Sequence, residues 1–199
     1  MANAELQMNV RHQPGRSSVL DLGCGNDKLP GAIGIDANPR SQADVIHDLD
    51  VFPWPFKDDS FDEIRAQDVL EHVVDLMKCM AEIHRVARDG AVVHVRMPFM
   101  GSHNYATDPT HRRSGASHSF DYFDESKPFF SYRYSDVRFE VLSFHYERHY
   151  RGKIGWLYQQ LDRVLLPFLE KHNDDYEHYG VGLYPMHNIC YELRVAKRR

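Results

Sequence analysis

Three cysteines in 199 residues are few, and Cys24, Cys79 and Cys190 stand far apart with no C-x-x-C pair among them. An odd, scattered set is no disulfide framework, and no secretory leader precedes it, so a reducing, cytoplasmic setting is expected. Long apolar runs are missing too: none approaches the roughly 20 residues that a membrane span needs, which argues for a soluble protein. Neither sign of charge dominates. With 24 Lys and Arg against 29 Asp and Glu, the formal charge of -5 provides no field for a phosphate backbone. Nucleic acid is therefore not expected as a partner, and the basic "AKRR" at Ala196 to Arg199 reads as a solvated tail. There are no repeats and no low-complexity segment, and the length suits a single domain, 1–199.

What the chain does contain is alternation of strand and helix signals. Residues 1–17 are polar and lack either period, so they read as an N-terminal arm. Val19 to Leu22 is a short apolar run closed by Gly23 and Gly25, the pattern of a buried parallel strand. A second run, Ala32 to Ile35, ends at Asp36; a third, Ala43 to Ile46, runs into "HDLD", His47 to Asp50. "VFPWPF" (Val51 to Phe56) carries two prolines and must be a loop, anchored by Trp54 and Phe56. Phe61 to Ala66 is a fourth strand, followed by "QDVLEH". Leu76, Met80, Ile83 and Ala87 mark one face of a helix, with Gly90 as its expected left-handed cap and Ala91 to Val95 as the fifth strand. Strand composition returns at Phe139 to Tyr146. Ile154, Leu157, Leu161, Val164, Leu165 and Phe168 predict a second amphipathic helix, and Ile189 to Val195 alternates like a half-exposed strand. Together these predict an α/β fold with a mainly parallel sheet.

The first two crossovers are too short for helices. Six residues, Asn26 to Gly31, must return roughly 17 Å; extended they reach about 20 Å, whereas wound as a helix they cover about 9 Å. The six residues "ANPRSQ" after Asp36 face the same limit. One face of the sheet should thus lack two helices. A bare apolar face of that size would be costly in water, so one of three covers is expected to pack there: the arm, the stretch between Tyr150 and Met186, or a second copy in a homodimer.

In open parallel sheets ligands lie beyond the carboxyl ends of the strands. Gly23 and Gly25 admit a ligand close to the backbone, Asp36 can accept both hydroxyls of a ribose, and Asp48 can accept from an adenine amino group while Leu49 donates from its backbone. That describes an adenosine site. "LDLGCG", "GID", "HDLD", "FPWPF", "SFDEI" and "DVLEH", in this order and spacing, resemble the class I S-adenosylmethionine-dependent methyltransferases, specifically the compact methyltransferase-11-like group, over about residues 18–98. "DPTHRR" and the late "YELRVAKR" resemble a small branch of predicted bacterial methyltransferases. The resemblance implies a Rossmann-like seven-stranded sheet of order 3-2-1-4-5-7-6 with the last strand antiparallel. It also implies that Asp21, Gly23 and Gly25 hold the methionine end of the donor, Asp36 the ribose and Asp48 the adenine, with Asp68 near the sulfonium. Cys24 sits in the same turn and is counted with the cofactor-binding set as a small packing residue without chemistry. The third glycine of the family's turn is Asp27 here, which leaves the methionine carboxylate in want of a partner; Lys28 is one candidate.

The segments 99–135 and 150–187 are expected to form the acceptor pocket and its cover. His103, Asp108, His111 and His118 are the chemically richest set there, and His111 and His103 are the expected catalytic residues, as base or acceptor-orienting groups. The spacing of His103, Asp108 and His111 matches no recurring metal signature, so no metal is assigned. Arg112 and Arg113 could clamp an acidic substrate or pair with "DYFDE", and the aromatic residues from Phe120 to Tyr134 could line a pocket or pack a core. The expected function is methyl transfer to an oxygen, or else a nitrogen, of a small-molecule or sugar acceptor. Rival readings are a non-catalytic domain that binds the adenosyl ligand, a nicotinamide-dependent oxidoreductase, for which Asp36 follows Gly25 too soon, and metal-assisted hydrolysis at the histidines.

Overall fold

The computed structural model describes residues 18–150 and 152–197; the arm at 1–17 lies outside them. Seven strands form one sheet: β1 (Val19–Leu22), β2 (Ile33–Asp36), β3 (Val45–Ile46), β4 (Phe61–Gln67), β5 (Ala87–Pro98), β6 (Arg138–Glu147) and β7 (Asn188–Ala196), in the order β3-β2-β1-β4-β5-β7-β6. β3 to β5 run parallel, and β7 is antiparallel to both β5 and β6. This is the sheet that the resemblance implied. Between β1 and β2 and between β2 and β3 the chain makes only turns and bends, as the reach of six residues requires.

One face carries the core. Leu20, Ile33, Ile64, Val93, Leu193 and Val141 lie in register across the strands, and Leu22, Ile35, Ala66, Val95 and Tyr191 form the next row. Helix α1 (Leu76–Val86) lays Cys79, Met80 and Ile83 on this face, and Trp54, Phe56, Phe99, Phe120 and Phe123 fill the space beside it. The loop aromatics Trp54 and Phe56 are fully buried, as anchors should be.

The other face departs from expectation. It is not apolar: Asp21, Arg65, His94, Glu192 and Ser143 form one row, and Gln67, Arg96, Cys190 and His145 the next. Arg65 donates to Asp21 Oδ2 at 3.1 Å and to Gln67 Oε1 at 2.5 Å, and His94 lies 3.6 Å from both Glu63 and Glu192. Asp21 apart, these polar groups are partly or fully exposed, so among the described residues this face has no need of an apolar cover.

Two further details differ. α1 ends at Val86 rather than near Gly90, because Asp59 N–H donates to Arg85 O and Ser60 N–H to Val86 O, taking the last carbonyls and turning the chain into β5. Gly90, at φ +80, sits instead at a register shift inside β5. The second amphipathic helix, α3 (Gly152–Lys171), turns its predicted apolar stripe outward: Ile154 is 72% exposed and Val164 75%. Its inward anchor is Asp162, buried, which accepts from Tyr150 Oη at 2.7 Å and from Tyr184 Oη, and pairs with Arg148 at 3.0 Å. Arg148 is in turn held between the rings of Tyr158 and Tyr184.

Ser18 clips the start of β1 to β4. Its N–H and hydroxyl donate to Asp62 Oδ2 at 2.9 and 2.8 Å, and Arg88 donates to Asp62 Oδ1 at 2.6 Å. Burial raises the Asp62 pKa, but these bonds outweigh it and hold the carboxyl at about 2. A folded pKa below the unfolded value of about 3.9 gives stability that is full above pH 4 and lost as pH falls through 2. Thermal melts should therefore show Asp62→Asn destabilised at pH 7, and the gap from wild type closing between pH 4 and 2.

Candidate active site

At the carboxyl ends of β1 to β4 the chain encloses a cavity of about 350 Å³. Gly23, Asp36, Asp48, Leu49 and Asp68 line it, each delivered by a strand tip or the turn that follows. Gly23 (φ +58) and Gly25 (φ +51) take left-handed backbone that a side chain would strain. A Cβ at Gly23 would stand 2.4 Å from Val69 Cγ2, so bare backbone is a condition of the cavity's shape.

Asp36 is fixed from both sides, Oδ2 accepting from Gly25 N–H at 2.8 Å and Oδ1 from Asn38 N–H at 2.7 Å. Its two oxygens keep further lone pairs for hydroxyl donors. Asp48 Oδ1 accepts from Asp50 N–H at 2.9 Å, and Trp54 Nε1 donates to Leu49 O at 3.0 Å, so the third tip is tied to the buried loop. Asp68 is left-handed at φ +53 with its N–H on Arg96 O at 2.9 Å and its carboxylate in an ion pair with the Arg96 guanidinium. Backbone strain at an acidic tip facing a cavity is the kind that functional sites hold.

The remaining members of the expected set surround the cavity without lining it. Asp21 is buried beneath the glycine turn, accepting from Leu29 N–H at 2.7 Å and from Arg65. Cys24 lies against Gly34, where a Cβ would come 2.7 Å from its sulfur, and burial followed by the Asp21 charge pushes its thiol up. Lys28 turns away: its ammonium sits 2.9 Å from both oxygens of Asp44. This partly exposed pair contributes no more than about 1 kcal/mol. Lys28→Ala should accordingly leave donor affinity within about twofold of wild type by calorimetry.

The histidines separate. His103 opens helix α2 (His103–Thr107) and borders a second hollow of about 520 Å³ with His149, Tyr158 and His187. Burial, then the neighbouring His149, His103 and Arg148, pushes the His187 pKa down, which keeps that ring neutral. His111 instead packs against His72, ring centroids 4.7 Å apart, with its Nε2 4.0 Å from Glu71 and from Asp108. His118 bridges Asp121 at 2.6 Å and Asp174 at 2.9 Å. Arg113 clamps no acid: its guanidinium donates to the carbonyls of Leu70 and Val73 at 2.6 Å and of Val74 at 3.2 Å. Phe120 and Phe123 join the core, while Tyr122, Phe129 and Tyr134 stack on one another.

The sequence reading missed Val69, His72 and Asp50 in the cavity wall. Val69 and His72 stand inside the motif "DVLEH", from which only Asp68 had been drawn. Asp50 receives the N–H groups of Val74 and Asp75, tying the third tip to the entrance of α1.

The sheet order and the carboxylate-rimmed cavity define the class I methyltransferase fold. The family described as "Methyltransferase domain" matches residues 20–95, the strands and tips just described. Over these residues the chain is similar to a methyltransferase domain, and the methyl donor that the match implies is S-adenosylmethionine. No curated protein matches the sequence. Among solved structures, a SAM-dependent methyltransferase from Archaeoglobus fulgidus is 17% identical, with 90% of this chain and 86% of that one covered and a TM-score of 0.54. The YcgJ protein from Bacillus subtilis is 15% identical, with 92% and 93% covered and a TM-score of 0.55. A SAM-dependent methyltransferase from Methanosarcina mazei is 15% identical, with 92% and 93% covered and a TM-score of 0.52. At such identities the likeness is one of fold. Among the described residues no helix is long and apolar enough to cross a membrane.

Proposed function

We propose that the protein moves a methyl group from S-adenosylmethionine to an oxygen of a small-molecule or sugar acceptor, with nitrogen as the second choice of atom. The observation that carries this reading is the cavity ringed by Asp36, Asp48 and Asp68 at three neighbouring strand tips. When bound, the donor supplies an electrophilic methyl on a sulfonium. The chain's residues fit it: Asp36 accepts the ribose hydroxyls, Asp48 accepts the adenine amino group with Leu49 N–H donating alongside, and the bare backbone at Gly23 and Gly25 admits the methionine end. Asp68 sets negative charge toward the cationic centre. Asp21 holds the loop beneath.

The acceptor is assigned to the second hollow, at His103, Tyr158 and His187, whose polar and aromatic walls suit a hydroxylated molecule. Transfer is an in-line displacement, so alignment of the acceptor atom with the donor methyl would supply most of the acceleration. His103 would take the acceptor's hydroxyl proton at a ring nitrogen, while the donor, when bound, would supply the methyl group and leave as S-adenosylhomocysteine. The overall charge of -5 and these walls favour a small acceptor over nucleic acid.

Incubation with S-adenosylmethionine and panels of phenols, sugars and amines should yield S-adenosylhomocysteine with one class of acceptor, at a rate that falls about 100-fold or more in His103→Ala. Donor binding without turnover on any panel would instead favour the non-catalytic adenosyl-binding reading.

A further inference from the structure

Glu71 is 1% exposed, and its Oε2 has no hydrogen-bond partner among the described residues. A carboxyl oxygen buried without a partner is costly, and a cation bound beside it would relieve that cost. Two imidazoles stand beside this carboxyl group, whose Oε1 lies 4.0 Å from His111 Nε2, and their neighbours fix their tautomers. His111 Nδ1 lies 3.2 Å from Tyr105 O, which can only accept, so the proton is on Nδ1 and the Nε2 lone pair faces Glu71. Thr110 Oγ1 donates to Asp108 Oδ1 at 2.6 Å; having spent its hydrogen, it accepts from His72 Nδ1 at 2.9 Å, which leaves His72 Nε2 bare as well. Metal-binding histidines are oriented in this way, by an outer partner on the far nitrogen.

We propose that Glu71, His72 and His111 form a binding site for one divalent first-row transition ion, with zinc as the reference. Their donor atoms lie within 4.8 Å of one another, against about 3.4 Å for two ligands on a tetrahedral ion with 2.1 Å bonds, so small side-chain rotations close the site. The backbone is ready for it. Arg112 N–H donates to Glu71 O at 2.8 Å, Arg112 Nε to His72 O at 3.2 Å, and Arg113 binds the carbonyls on either side of the pair, which straps the two loops together before any ion arrives. Two histidines and one carboxylate leave a fourth position for water or an acceptor heteroatom. Because His72 also lines the donor cavity, the ion belongs to the cavity wall.

Ion binding is measured with no donor present, so it stands or falls apart from the methyl-transfer reading. Tag-free protein, dialysed against chelator and then titrated calorimetrically with Zn²⁺, should bind one equivalent per chain, and the complex should melt at a higher temperature than the apoprotein. Glu71→Gln and His111→Ala should each weaken binding by at least about 100-fold, the upper end of what outer partners cost, while His103→Ala leaves it unchanged. Co²⁺ bound at the wild-type site should show visible d–d absorption that Glu71→Gln removes, a readout available even where His111→Ala fails to fold. No binding at micromolar Zn²⁺, or binding that survives Glu71→Gln in folded protein, would overturn the proposal.

Discussion

Alanine at Asp36 is expected to raise the dissociation constant for S-adenosylhomocysteine by about 100- to 10,000-fold in calorimetric titration, because each of the two charge-assisted bonds proposed to the ribose would contribute about 1.5–3 kcal/mol. The carboxylate has a second task, holding Gly25 N–H in the left-handed turn and Asn38 N–H at the start of the next link. Asp36→Asn keeps one oxygen for the turn and should lie between alanine and wild type. A melting curve within a few degrees of wild type shows that the loss is of ligand contacts. If Asp36→Ala bound the ligand within about fivefold of wild type, the ribose would have to lie elsewhere.

Trp54→Ala should have the largest effect on stability. The indole is wholly buried, its N–H satisfies Leu49 O at 3.0 Å, and its backbone is held by Glu82 and Arg85. Removing such a ring costs about 3–5 kcal/mol, and the orphaned carbonyl adds to that. Against a total of about 5–15 kcal/mol this is a large share, and at about 2–4 °C per kcal/mol it predicts a fall of roughly 8–15 °C in Tm. Trp54→Phe restores most of the volume but not the donor and should recover about half. Urea titrations that place Trp54→Ala within 1 kcal/mol of wild type would show that the loop does not depend on this anchor.

The parts of the fold set by local pattern were legible. β1 was read to the residue, the missing helices followed from the length of two links, and Asp36, Asp48, Leu49, Gly23 and Asp68 meet at one cavity as expected. Other features depend on distant partners. The stripe Ile154 to Phe168 has a helical period, yet which side faces in was decided by Asp162 with Arg148, Tyr150 and Tyr184, a buried polar set that no periodicity announces. Glu71 and His72 meet His111 only because the two loops are strapped by Arg112 and Arg113. The polar sheet face was within reach: in Phe61–Gln67, Phe61, Ile64 and Ala66 are buried while Glu63, Arg65 and Gln67 are not, an alternation seen again in Val93 to Arg96.

A sheet that the described residues clothe on one side only places an unusual evolutionary demand on its strands. Beyond the pinned pair Asp21 and Arg65, the row His94, Glu192, Ser143 is free to drift among hydrophilic residues, since no described helix imposes a shape on it. It is not free to become oily, because a run of leucines across that naked panel would invite two molecules to stack and precipitate. Selection on this side of the molecule therefore acts on wettability rather than on fit.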